Sequence, residues 1–445
     1  MSSESMIQAL LPKWVVPVVP ENEVLLNTAV VLEGDRIIDI IDASDLASRY
    51  PNATAKSLPN HALIPGLVNA HGHSPMVLMR GLADDLPLME WLTKHIWPTE
   101  QAFAGEEFVR AGSSLAAVEM LTGGTTCFND NYFFPNITAG VVKTSGMRAV
   151  LGLPVMNVPT IWAEDEAGYI NKGLMVVEET APDSRIGWAW APHAPYTVTD
   201  QSFERLGELS EGMDFKLHLH LLETAGEIEQ SMAEHGTHPI DRLVKLGLYN
   251  DRLIAAHMTQ LTDDQVAQTA EAGVHILHCP AANMKLASGF CRVDDLDQAG
   301  ANIAIGTDGA ASNNRLDMFA EMRLASLIAK GFSLNPVAAP AARSLSMATI
   351  QGARALGLDA EIGSIEVGKQ ADLVAIDLDV PGTTPVHNVI SHLVYVVSRS
   401  QVSDVWVAGK PCVSDGQVLT LDQDAVVRES IDWGFKIQSK QISKP

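Results

Sequence analysis

The sequence predicts an α/β protein, a (β/α)8 barrel of the TIM type with a small β-sandwich domain assembled from both chain ends. Three observations point to it. Between residues 62 and 308, eight short apolar runs alternate with longer helical patterns; seven of the eight end in or beside His, Asn or a carboxylate; and strand-like sequence returns at both ends. Runs that are apolar on both faces and separated by helices indicate a parallel sheet. Eight of them in about 250 residues is the number a closed barrel takes, and barrel active sites lie at the C-terminal strand ends.

The elements follow in order. Lys13 to Val19 is one apolar run, and Ala29 to Ile41 reads as a hairpin turning at Glu33-Gly34-Asp35. The barrel strands are expected at Ala62–His71, Thr125–Asp130, Arg148–Val155, Arg185–His193, Phe215–Glu223, Leu253–His257, Val274–Pro280 and Asn302–Asp308. Their ends carry His71 and His73, Asn129 and Asp130, His193, His220 and Glu223, His257, His278, and Asp308. Asp317–Lys330 and Pro336–Leu358 look helical. Strand-like sequence resumes over Gly363–Asp377, Val402–Ala408 and Pro411–Leu421, with turns at Gly409-Lys410 and Asp415-Gly416. Residues 425–445 read as a polar tail without a clear period. The expected division is residues 1–61 with 360–445 as the small domain, and 62–359 as the catalytic barrel.

Composition narrows the function. The 445 residues are 47% hydrophobic and 19% charged, which excludes disorder as the dominant state. A formal net charge of −24 repels nucleic acid and anionic membrane surfaces. Cys127, Cys279, Cys291 and Cys412 form no C-x-x-C pair and are too few for a disulfide framework, which points to a reducing, cytoplasmic setting. No basic and apolar leader opens the chain, and no run approaches ~18 apolar residues.

The densest chemical signal is Pro65-Gly-Leu-Val-Asn-Ala-His71-Gly-His73. Two histidines at i and i+2 on an extended segment project to one side and can reach one ion. Lys216-Leu-His218-Leu-His220-Leu-Leu-Glu223 adds a strand-end ligand with a general acid/base three residues on, and His218 reads as a packed residue one layer deeper. Ile305-Gly-Thr-Asp308-Gly ends the last strand. His71, His73, His220 and Asp308 together make an N3O set that suits one divalent ion, Zn2+ or Fe2+, and leaves a position for water.

These motifs, with the G-K-x-A-D-L segment at Gly368–Leu373, resemble the amidohydrolase superfamily over nearly the whole chain. His73 to Leu92, Ile96-Trp-Pro-Thr-Glu100, Ala191-Pro-His193-Ala-Pro-Tyr196 and His278 to Gly289 narrow the resemblance to its aromatic deaminases and chlorohydrolases, and within these to deaminases of adenine nucleosides. The fourth strand lacks the lysine of binuclear members, so a single ion is implied.

The resemblance implies hydrolytic deamination at C6 of a purine nucleoside. In that reading Asp308 accepts the water's proton, His257 orients the hydroxide, and Glu223 protonates N1. His193 contacts N3, Glu100 holds the ribose hydroxyls and Trp91 walls the pocket. His278 is left as a supporting residue. A carboxylate on the substrate tail would call for an arginine, yet residues 156–184 contain none, only Lys172 and the acidic Glu164-Asp165-Glu166. That favours 5'-methylthioadenosine and adenosine over S-adenosylhomocysteine, unless Arg80, Arg292 or Arg315 reaches in. A guanine or pterin deaminase, a triazine chlorohydrolase, or an inactive scaffold are the competing readings. A homo-oligomer is expected, since large barrels commonly associate.

Overall fold

A computed structural model of the chain describes residues 7–442. Residues 1–6 and 443–445, which the expected terminal domain included, lie outside the described residues. Eight parallel strands, Leu67–Gly72, Thr125–Asn131, Arg148–Val155, Ile186–Pro192, Lys216–Leu221, Leu253–His257, His275–His278 and Asn302–Ile305, neighbour one another in chain order. Small and medium side chains, among them Val68, Cys127, Val150, Ala189, Ala256 and Leu277, fill the interior, and Ala353, Leu356 and Ile362 pack with them. The barrel is therefore a packed core with its chemistry confined to one end.

The ring closes between the first strand and the residues just past the last. Asp308 N–H donates to the His71 carbonyl at 3.0 Å, and Asn69 both accepts from Thr307 N–H at 2.9 Å and donates to Thr307 Oγ1 at 2.8 Å. Gly306 lies at the same seam, where a Cβ would stand 2.7 Å from His71 Cβ.

The first expected run, Ala62–His71, divides into two strands. Thr54–Pro65 pairs with Ile7–Val15 and Leu373–Asp377, and only Leu67–Gly72 enters the barrel. The break falls at Pro65-Gly66. Proline has no N–H to continue a ladder, and a Cβ on Gly66 would meet Thr126 Oγ1 at 2.0 Å. The expected helix over Pro336–Leu358 is also two pieces, Ala341–Met347 and Ile350–Ala355, because Pro340 delays its start and Thr349 leaves helical geometry (φ −133°, ψ −97°).

The chain ends meet in one nine-stranded mixed sheet. Its order runs Gln417–Val418, Lys410–Ser414, Val402–Val407, Leu373–Asp377, Thr54–Pro65, Ile7–Val15, Thr28–Glu33 and Arg36–Asp42, with Leu25–Leu26 paired to Ile7–Val15. Leu10, Leu32, Leu63, Leu373 and Trp406 share its inner core. A buried ion pair ties this sheet to the barrel: Arg148 Nε and Nη2 donate to the Asp372 carboxylate at 3.0 and 3.2 Å. Asp372, from the G-K-x-A-D-L segment, also accepts Ala408 N–H.

The expected polar tail is a helix, Gln423–Ile442, whose Trp433 packs edge-on against Phe103 and Phe108. Trp433 and Ile437 are buried while Val427, Ile431 and Phe435 are exposed on another face. Two apolar stripes blur the 3.6-residue period that would have marked the helix. No described helix is long and apolar enough to cross a membrane.

Removing one partner of a buried ion pair leaves an uncompensated charge, a loss of about 3–5 kcal/mol. Asp372→Ala should therefore lower the denaturation midpoint markedly, whereas removing the exposed Arg205–Glu208 pair should shift it by less than about 1 kcal/mol. Urea titration of both variants checks this.

Candidate active site

The site is built by local departures from regular strand geometry. In the first strand Asn69 registers with Phe128 and Gly72 with Asp130, so between these two positions it carries one residue more than its neighbour, offsetting an opposite shift between Leu67 and Val68. Such a bulge re-aims a side chain, and it brings His71 to the barrel axis beside His73. His257 registers with Leu221, the neighbour of the axis-facing His220, so a regular pleat would point it outward. Its φ of 79° turns it inward, and Asp308 (φ 60°) and Leu222 (φ 52°) take the same left-handed conformation. Non-glycine residues held there cost about 1–3 kcal/mol each and persist where the surroundings over-determine them. Glu227 supplies that constraint at Leu222: its carboxylate accepts the N–H groups of Leu222 (2.9 Å) and Glu223 (3.1 Å).

The histidines are oriented through their Nδ1 atoms. His73 Nδ1 lies 2.5 Å from the Asn131 carbonyl and His220 Nδ1 2.6 Å from the His193 carbonyl. A carbonyl only accepts, so both Nδ1 atoms carry hydrogen and a neutral ring leaves Nε2 with a bare lone pair. His257 Nδ1 is similarly 2.9 Å from Asn283 Oδ1. The Nε2 atoms of His73 and His220 then face each other at 3.3 Å. Asp308 Oδ1 lies 3.2 Å from His73 Nε2 and 3.4 Å from His71 Nε2. Among the described residues two overlapping sets, His71–His73–Asp308 and His71–His220–His257, hold their donor atoms within 4.8 Å.

Converging lone pairs repel unless a cation lies among them. The protonation preferences say the same: Asp308 is held well below the ordinary carboxylate range, burial being outweighed by His71 and His73. His73 is pushed up to about 9, burial being outweighed by Asp308 and the Asn131 carbonyl, so a proton on its Nε2 supplies the positive charge that a bound cation would otherwise bring. His220 goes the other way, lowered well below 6.5 by burial and its neighbouring rings. The donor set fits a divalent ion with nitrogen and oxygen preference. Asp308 is steadied in turn by Gly309 N–H (2.7 Å) and the Ser312 hydroxyl (2.7 Å).

Above these residues opens a cavity of about 430 Å³. Glu223 stands at its floor with Oε2 4.0 Å from His257 Nε2. Burial raises Glu223 above the usual glutamate range, partly offset by His257. Trp91, Glu100 and His193 line the walls. Glu100 faces the Tyr132 hydroxyl and is pushed up to about 7 by its withdrawal from solvent. His193 is lowered to about 4 by burial and by His73, so it is a neutral imidazole, with Nδ1 3.1 Å from Thr197 Oγ1.

Thus His71, His73, His220, Glu223, His257 and Asp308 come together, and Trp91, Glu100 and His193 face the same space. His278 is fully buried and stands outside the lining. Asn129 buries both side-chain polar atoms without a partner among the described residues, while Asp130 braces the site by accepting Ser74 N–H at 2.6 Å. Tyr132, Asn283, Ser312 and Glu227 were not singled out from the sequence. Only Glu227, in helix-capping position after the H-x-x-E motif, left a readable signal.

Comparison with known proteins agrees with this geometry. The Amidohydrolase family model matches residues 62–412. A 5-methylthioadenosine/S-adenosylhomocysteine deaminase of Teredinibacter turnerae is 44% identical over 96% of this chain and 97% of its own. A 5'-deoxyadenosine deaminase of Methanothermobacter thermautotrophicus is 39% identical over 90% of this chain and 92% of its own. The crystal structure of an adenosine deaminase from Xanthomonas campestris, with bound zinc, superposes with a TM-score of 0.95 at 48% identity, covering 98% of this chain and 99% of that one. With barrel, bulged H-x-H strand and convergent donor set in place, the chain belongs to the amidohydrolase family.

Proposed function

We propose that the chain is a metal-dependent aminohydrolase that converts an adenine nucleoside and water to the inosine-type product and ammonia. The observation that carries this is one cavity holding a divalent-ion donor set, the buried carboxyl of Glu223 beside it, and a second carboxyl, Glu100, in its lining. His71, His73, His220 and Asp308 would hold the ion, most simply a single zinc. When bound, the ion supplies an activated water near neutral pH, since ligation lowers water's pKa from ~15.7 towards ~7.

The chain's own groups do the rest. Asp308 takes the water's proton, and the bare Nε2 of His257 accepts from that water and orients it. Glu223, raised above the usual glutamate range by burial, is placed to give a proton to N1 of the ring, which makes C6 electrophilic. His193 can donate to N3 through Nε2–H when the Thr197 hydroxyl gives its hydrogen to Nδ1 rather than to the Ala194 carbonyl, both 3.1 Å away. Glu100 accepts the two ribose hydroxyls.

The tail of the substrate meets apolar and aromatic groups: Trp97, Met156, Val158 and Ile161 flank the mouth. No lysine or arginine lines the cavity among the described residues. Arg80 is engaged by Glu119, Arg292 by Asp263 and Asp295, and Lys172 by the Trp162 carbonyl. An uncharged 5'-substituent, as in 5'-methylthioadenosine or 5'-deoxyadenosine, fits this wall better than the carboxylate of S-adenosylhomocysteine.

Three outcomes follow. Kinetics with the three nucleosides should give S-adenosylhomocysteine a kcat/KM at least about tenfold below 5'-methylthioadenosine, and equal or higher values would refute the tail assignment. Glu223→Gln should retain its ion by elemental analysis and lose ~10²–10⁴-fold in kcat; unchanged turnover would remove Glu223 from the chemistry. Because Glu100 ionises near 7, it loses its charge as the pH falls below that value, so KM should rise towards acid. Glu100→Gln should raise KM roughly 10–100-fold and flatten that rise, as KM measured from pH 5.5 to 8.5 would reveal.

A further inference from the structure

Two of the axis-facing histidines hand their Nδ1 hydrogens to backbone carbonyls, but among the described residues His71 Nδ1 meets a side chain instead. Its Nδ1 lies 2.8 Å from Nε2 of His218, and both rings are fully buried. Two neutral imidazoles share one hydrogen across such a contact, and there are two ways to place it. If His71 Nδ1 donates, His71 Nε2 keeps its lone pair towards His73 and Asp308, and His218 carries its own hydrogen on Nδ1. If His218 Nε2 donates, His71 must carry hydrogen on Nε2, where it blocks the donor position.

We propose that His218 is a positioning residue: its Nε2 accepts the Nδ1 hydrogen of His71 and so commits His71 Nε2 to the ion. This rests on the reading of His71 as a ligand. The arrangement has a visible cost, since His218 Nδ1 then holds a hydrogen with no partner among the described residues. A core residue chosen for packing alone would not be a histidine with one nitrogen stranded. Leucine or methionine would fill the space without burying an unpaired polar atom. Partners of this kind matter energetically, and losing one typically weakens metal affinity 10–100-fold.

The test compares zinc dissociation constants of the metal-stripped protein, read by competition with a chromophoric chelator. His218→Met removes the acceptor and keeps an unbranched apolar side chain, and it should weaken zinc binding about 10–100-fold. His218→Gln places an amide oxygen near the Nε2 position and should bind within about threefold of the parent, a loss under about 1 kcal/mol. His71→Ala separates the two readings. If it binds zinc as tightly as the parent, His71 is not a ligand; if it loses zinc while His218→Met does not, the positioning role alone fails. Should His218→Met not fold, long-range nitrogen–proton NMR of the zinc-loaded parent decides, because the proposal requires His218 to be protonated on Nδ1. Protonation on Nε2 would overturn it.

Discussion

The seam that closes the barrel is the contact on which the rest of the site depends. His71 and Asp308 are separated by nearly the whole catalytic segment, yet the Asp308 N–H donates to the His71 carbonyl and Asn69 grips Thr307 from both sides. Closing the sheet and assembling the donor set are therefore one event. Gly306 is needed because His71 occupies the space where its Cβ would go. The neighbouring Asp308 is then held in a left-handed conformation by the Gly309 and Ser312 contacts on its carboxylate. The energy to hold such backbone comes from the packed barrel beneath it.

The terminal segments support the opposite wall of the cavity. Trp433 of the last helix packs against Phe103, which ends the helix Trp97–Phe103 that carries Glu100. The nine-stranded sheet is fastened to the third barrel strand by Arg148 and Asp372. The last helix thus bears on the wall that carries Glu100, and the sheet on the start of a barrel strand. The electrostatics divide accordingly: the donor atoms and Asp308 favour a cation at the floor, while apolar side chains flank the mouth and no lysine or arginine lines the cavity among the described residues.

Several features were legible because they are written in residue identity at fixed spacing. His71 and His73, His220 and Glu223, His257 and Asp308 all sit at the ends of runs whose apolar character marks them as barrel strands. Others depend on groups that every residue possesses. The carbonyls of Asn131 and His193 set which nitrogen of His73 and His220 faces the convergent donor atoms, and no side-chain pattern announces a carbonyl. His218 read as packing, since its partner lies on another strand. The terminal helix shows no clear period in the sequence because it carries apolar side chains on two faces.

By itself, then, the sequence determined the barrel, the donor set and the class of chemistry, because hydrophobic periodicity and the kinds of side chain at strand ends are local properties. Only the tertiary structure decided where the first barrel strand begins, how the bulge and the left-handed turns aim His71, His257 and Asp308, and that Glu100 shares their cavity. Those are matters of register, closure and backbone conformation, which arise when segments distant in the chain compete for the same space.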